Sequence, residues 1–214
     1  MPNFKRRVNK FINYTESDVH RYFATNNSTD VSFGRSFNYE TVANENTKLV
    51  IVGTYTPKKG RDNGYYYCSS RKNNMYLIID DYFGLNGELL ERKEYLFNHQ
   101  RDANSINEIK NILKELKIAF VDVIDYAISS NNNASDDAIE CFSLDRDVFN
   151  IVTDSTIIVC NSRNSEYAYK KMFPNKQSEY VPQQWICKPY EVIYSRWEDV
   201  LDKYYDRSRK TWKI

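Results

Sequence analysis

Apolar residues in this chain come in short buried runs separated by amphipathic stretches. Leu49-Val50-Ile51-Val52 is the first run and Gly53 closes it. A run this short, ended by a glycine, predicts a strand buried on both faces of a parallel sheet. Residues 118–124, IAFVDVI, predict a second strand, broken chemically by one acid, Asp122. Thr156-Ile157-Ile158-Val159-Cys160 is a third, and Tyr180-Val181, stopped by Pro182, a fourth. Between these runs the pattern turns helical. Met75, Leu77, Ile78 and Ile79 open one such stretch. Ile106, Ile109, Ile112, Leu113 and Leu116 recur at three- and four-residue steps and predict an amphipathic helix over 105–116. Further helices are expected through Tyr169 and Phe173 and over 196–205. Strands alternating with helices predict an α/β fold, a single three-layer domain whose mainly parallel four-stranded sheet is flanked by helices.

The first 47 residues do not share this pattern. They are polar, with Phe11, Ile12 and Tyr14 and a capping turn at Thr15-Glu16-Ser17-Asp18 before Val19 and Tyr22. They predict one or two short helices, an N-terminal helical extension (1–47) packed on an α/β domain spanning 48–214. Asn26-Asn27-Ser28-Thr29-Asp30 reads as a loop, Asn86-Gly87 as a turn, and Ser135-Asp136-Asp137 as the cap of a short helix.

A length of 214 residues suits one domain with a full core. Net charge is only +1, so bulk charge announces no nucleic-acid partner. Its distribution says more. Residues 1–22 carry five basic and two acidic groups, 57–74 five and one, 202–214 five and two, whereas 80–147 carry seven and fifteen. Three basic segments could therefore form one basic surface. Cys68, Cys141, Cys160 and Cys187 are scattered without a C-x-x-C pair, and His20 and His99 are the two histidines, which argues against a zinc or iron–sulfur site. No apolar run has membrane-spanning length and no signal peptide is evident, so a cytoplasmic protein is expected.

The candidate chemistry gathers after the first strand. The stretch 57–74 holds Lys58, Lys59, Arg61, Arg71 and Lys72 around Tyr65, Tyr66 and Tyr67. A strand that empties into a loop and then a helix sets that loop at the carboxyl edge of the sheet, where open α/β folds bind ligands. Aromatic rings among cations suit a nucleic-acid base beside its phosphates. An ordinary surface loop with tyrosines packed on a neighbouring helix fits the same residues.

The order of residues narrows the choice. Gly53-Thr54-Tyr55-Thr56-Pro57, then Tyr66-Tyr67, then Arg71-Lys72-Asn73-Asn74-Met75-Tyr76 resembles the uracil-DNA glycosylase superfamily, most nearly its hypoxanthine-DNA glycosylase-like branch. Residues 118–124 followed by Ser135 and Asp137, and Ile158-Val159-Cys160-Asn161, are similar to later elements of that branch, so about 130 residues can be laid on it in order. The resemblance implies a DNA glycosylase without metal, cofactor or Schiff-base lysine, acting on duplex or single-stranded DNA as a monomer. It implies Asn73 as the catalytic asparagine, Asn74 being the alternative if the alignment slips by one. Such an amide orients water and stabilises the departing base through an oxocarbenium-like state; a helix N-cap is the other role open to it. By the same resemblance Asp122 faces the flipped base, Tyr67 or Tyr66 stacks on it, and Thr54 and Asn161 complete the base-binding set. Asp122 as a structural acid and the tyrosines as core packing stay open. Lys58, Lys59, Arg61, Arg71 and Lys72 are expected on DNA, with Gln183, Gln184 and Trp185. These last stand where the family carries a serine-rich loop, so the sequence departs from the pattern there. A catalytically inactive DNA- or nucleotide-binding protein of the same fold is the alternative. A Rossmann-type nucleotide enzyme is disfavoured, because Gly53–Pro57 matches neither G-x-G-x-x-G nor the phosphate loop.

Overall fold

The computed structural model describes residues 2–25, 31–56, 65–68, 73–99, 102–130, 138–182 and 189–213. Its frame is a sheet of four parallel strands: β2 (Leu49–Gly53), β3 (Ile118–Asp122), β6 (Ile157–Cys160) and β7 (Glu179–Tyr180), in the order β3-β2-β6-β7. All five residues of β2 and of β3 are buried, as continuous apolar runs require when both faces are covered.

Between β2 and β3 come α3 (Met75–Phe83), α4 (Glu88–His99) and α5 (Ala103–Glu115); between β6 and β7 comes α6 (Arg163–Met172). The two crossovers step away from β2 and β6 in opposite directions across the sheet. Right-handed connections therefore put α5 and α6 on opposite faces and give three layers. The same reversal makes the gap between the carboxyl ends of β2 and β6 a topological switch point, where open α/β sheets hold ligands.

Local chemistry starts the helices where expected. The Asp102 carboxylate accepts from the Ser105 amide at 2.7 Å ahead of α5, and Ser162 and Ser165 close a reciprocal capping box ahead of α6. Thr15 and Asp18 bond to each other's amides at the start of α2 (Glu16–Thr25). The last helix, α7 (Tyr190–Tyr204), begins just after Pro189, six residues earlier than the apolar pattern predicts. A small hairpin, β8 (Tyr205–Asp206) with β9 (Thr211–Trp212), follows it, and the Trp212 indole donates to the Leu116 carbonyl at 3.0 Å.

Three features were not expected from the sequence. The helix α4 follows the Asn86-Gly87 turn directly. The run 118–124 is not one strand: after Asp122 the Val123 and Ile124 amides bond to the Gly53 and Thr54 carbonyls, and the chain enters β4 (Ile124–Ser130). There it joins a second, antiparallel sheet, β1 (Val31–Arg35), β4 and β5 (Ile139–Leu144) in the order β1-β4-β5. The N-terminal helices α1 (Pro2–Phe11) and α2 pack on that sheet, with Phe4 and Phe11 against Phe142 at 5.7 and 5.6 Å between ring centroids.

Candidate active site

The carboxyl edge of the parallel sheet gathers polar side chains from three neighbouring strands. Gly53 ends β2, Asp122 ends β3, and Asn161 follows β6. Gly53 leaves the room: a Cβ there would lie 2.3 Å from Asp122 Oδ1 and 3.3 Å from the Tyr67 hydroxyl oxygen. Asn161 Nδ2 donates to that same hydroxyl at 2.8 Å. Tyr67 reaches this point from a turn in which its φ is +59°, a left-handed conformation unfavourable for a tyrosine and sustained by its surroundings. Its ring meets Phe120 edge-on at 4.9 Å.

Asp122 is held from behind by a segment that carries no local signal for this place. Ser36 Oγ donates to Asp122 Oδ2 at 2.7 Å. Asn38 brackets the peptide, accepting from the Asp122 amide and donating to its carbonyl, both at 2.8 Å. The Asn38 amide also accepts from the Tyr66 hydroxyl at 3.0 Å and donates to Asp145 at 2.9 Å. One asparagine thus ties the base of the crevice to the tyrosine turn. Thr54, next to Gly53, shares a hydroxyl–hydroxyl bond of 3.0 Å with Ser162 at the start of α6.

Asn73 lies just before α3 and is 3% exposed. Its Oδ1 accepts from the Met75 amide at 3.0 Å, and its carbonyl accepts from the ammonium of Lys93 on α4. Tyr76, in the first turn of α3, donates to the Tyr66 carbonyl at 2.8 Å and packs on Phe120, which also carries Tyr66 and Tyr67. Asn73 thus stands three residues ahead of Tyr76 of this aromatic cluster, and Tyr67 joins the cluster to Asn161. No direct bond joins Asn73 to Asp122 or Asn161 among the described residues.

Burial, reinforced by the charge of Asp122, raises the Tyr55, Tyr66 and Tyr67 phenols above their ordinary range. They stay protonated donors at neutral pH. The edge then offers the Asp122 carboxyl group, the Asn161 amide and the Tyr67 phenol in a nearly dry setting, a set able to read the hydrogen-bonding edge of a flat heterocycle. Asn74 stands at the α3 N-cap position without a side-chain cap bond. Lys58, Lys59, Arg61, Arg71, Lys72, Gln183, Gln184 and Trp185, with Ser135 and Asp137, lie outside the described residues.

A groove of about 800 Å³ lies elsewhere, at the amino edge, where Thr153, Thr156, Lys176, Ser178, Glu179 and Tyr204 line it. Among the described residues no three His, Cys, Asp or Glu side chains are arranged to hold a metal ion, and no helix is long and apolar enough to cross a membrane. Sequence reasoning missed Ser36, Asn38 and Lys93. Ser36 and Asn38 carry no local signal, whereas Lys93 stands between Leu89 and Leu96 at helical spacing.

The chain is similar in structure to a "putative Uracil DNA glycosylase" from Methanosarcina acetivorans, solved in solution by NMR. The two superpose with a TM-score of 0.54 at 18% sequence identity, over 80% of this chain and 98% of the other. No protein-family model and no curated protein matches the chain. The likeness establishes the fold, a uracil-DNA-glycosylase-like α/β architecture.

Proposed function

We propose that the chain is a monofunctional DNA glycosylase of the hypoxanthine-DNA glycosylase-like branch, active in base-excision repair. It flips a deaminated or modified base and hydrolyses its N-glycosidic bond. The observation that carries this reading is the convergence of Gly53, Asp122, Asn161 and Tyr67 at the switch point, with Asn73 buried just ahead of α3, whose Tyr76 packs on the same Phe120 ring. In the reaction the C1′–N bond breaks and its electron pair leaves with the base. Water then adds to C1′ of the cationic sugar, and the proton it gives up ends on the departed base anion, leaving a neutral base and an abasic sugar. Asn73 donates to the departing base or orients that water; Tyr67 stacks on the base, and Tyr66 supports it from the core. Asp122, accepting only, favours a base edge that presents a donor, such as the amino group of a cytosine-type base or N1–H of hypoxanthine, and disfavours uracil.

Lys58, Lys59, Arg61, Arg71 and Lys72 bind phosphates in this scheme, so DNA affinity falls with salt at a log–log slope near −0.9 per contact. Gln183 and Gln184 line the DNA, and Trp185 fills the gap left by the flipped base, as apolar wedges do. The test is incubation with duplex and single-stranded oligonucleotides carrying hypoxanthine, uracil, modified cytosines and the ordinary bases, followed by alkaline strand cleavage. Abasic sites at one class of base are expected. The bond between Asn73 Oδ1 and the Met75 amide, an ordinary helix-start contact, favours the second reading, an inactive DNA- or nucleotide-binding protein of the same fold. Binding without any excision across the panel decides for it.

A further inference from the structure

The buried face of α4 reads Leu89, Lys93, Leu96, and Lys93 is 1% exposed. An ammonium placed in a core is costly unless acceptors hold it. This one donates to the Asn73 carbonyl, twenty residues away in sequence. Asn73 is thus fixed at its peptide by Lys93 and at Oδ1 by Met75, while Nδ2 has no bonded partner among the described residues. We propose that Lys93 is a positioning residue: its ammonium holds the Asn73 peptide so that the Nδ2 amide is aimed at the reacting base. This inference rests on Asn73 being the catalytic asparagine.

Protonation gives the arrangement a signature. Cys68, in the tyrosine turn, and Glu94, the exposed neighbour of Lys93 on α4, act on the ammonium electrostatically. From α3, Asp80 accepts from the first amides of α4, and from α5, Glu108 pairs with Arg92. Burial lowers Lys93 below the ordinary lysine range. It pushes the Cys68 thiol up to about 12 and lifts Tyr65, Tyr66, Tyr67 and Tyr76 above the usual phenol range. Lys93 is therefore the first of this cluster to lose its proton as pH rises from neutrality. Excision should fall along an alkaline limb that belongs to Lys93.

The experiment follows the single-turnover excision rate from neutral pH to about pH 10.5 for the wild type, Lys93→Met and Lys93→Arg. The carbon-13 shift of the Asn73 carbonyl is followed by NMR over the same range. The wild-type limb should coincide with the carbonyl titration. Lys93→Met should lower the plateau roughly 10²-fold, the scale for a misplaced catalytic group, and abolish the limb. Lys93→Arg, which keeps its charge, should retain most of the plateau and also lose the limb. A limb unchanged in folded Lys93→Met, or an Asn73 carbonyl that ignores the titration, overturns the proposal. If Lys93→Met does not fold, the wild-type carbonyl titration and Lys93→Arg decide. No excision of any base, with a carbonyl that still follows Lys93, sinks the glycosylase reading and supports the anchor.

Discussion

The two edges of the parallel sheet offer a ligand opposite things. At the carboxyl edge Gly53, Asp122, Asn161 and Tyr67 crowd one point, buried and bonded to one another or to Ser36 and Asn38. At the amino edge a groove of about 800 Å³ stands open, and charges around it pair near the surface, Lys176 with Asp154 and Lys203 with Glu179. Exposed pairs of that kind contribute little and fix little. Buried polar groups must be held by partners, so their geometry is set before any ligand arrives. Among the described residues the open groove and the oriented chemistry lie at opposite ends of the same strands, and oriented chemistry is the better guide to where a reaction would run.

Substitutions at the two edges test that contrast. Asn73→Ala should have the largest effect, lowering the single-turnover excision rate by roughly 10²–10³, the loss expected for one donor to the transition state. Melting should reflect only one missing helix-start bond, about 1 kcal/mol. A normal rate in the folded variant would remove Asn73 from the chemistry.

Gly53→Ala drives a methyl group into Asp122 and is expected to cost about 1–3 kcal/mol, measured by denaturant unfolding, with excision falling alongside. A variant as stable as the wild type would mean that the close approach is not enforced. Asp122→Asn exchanges a pure acceptor for a group that also donates. It should move the ratio of excision rates toward uracil by about 1–3 kcal/mol on matched oligonucleotides, and a constant ratio would leave Asp122 a structural acid. The smallest effect is expected at the other edge. Lys176→Ala should change stability by no more than about 0.5 kcal/mol and leave excision alone. A slowed reaction there would break the comparison.

How legible was all this in the sequence? The parallel strands were, because β2 and β6 are unbroken apolar runs, β3 is one up to its closing Asp122, and sheet burial on both faces demands such runs. The helices α3, α5 and α6 showed their period. The helix α4 did not, because a lysine occupies the middle of its buried stripe and disguises it as a polar stretch. Strands β4 and β5 mix serines, two acids and a cysteine with their apolar residues, and β1, the other partner of β4, lies far upstream, Arg35 pairing with Tyr126. In the site, Asp122 was visible as an acid inside an apolar run. Ser36 and Asn38 were not, since what makes them matter is a bond to a residue 86 or 84 positions downstream.

That separation has a consequence for how the molecule comes into being. Asn38 leaves the ribosome long before Asp122, by roughly 4–17 s at about 5–20 residues per second. Its amide must stay with water until β3 has formed, and Asn161 arrives later still to meet Tyr67, 94 residues behind it. Closing such distant pairs is slow beside forming a helix from neighbours. The polar cluster at the carboxyl edge therefore matures after the helices built from neighbours. In pulse-labelled hydrogen exchange during refolding, the Asp122 amide should gain protection after those of α5, and a chain cut short before residue 161 would carry a sheet without a crevice.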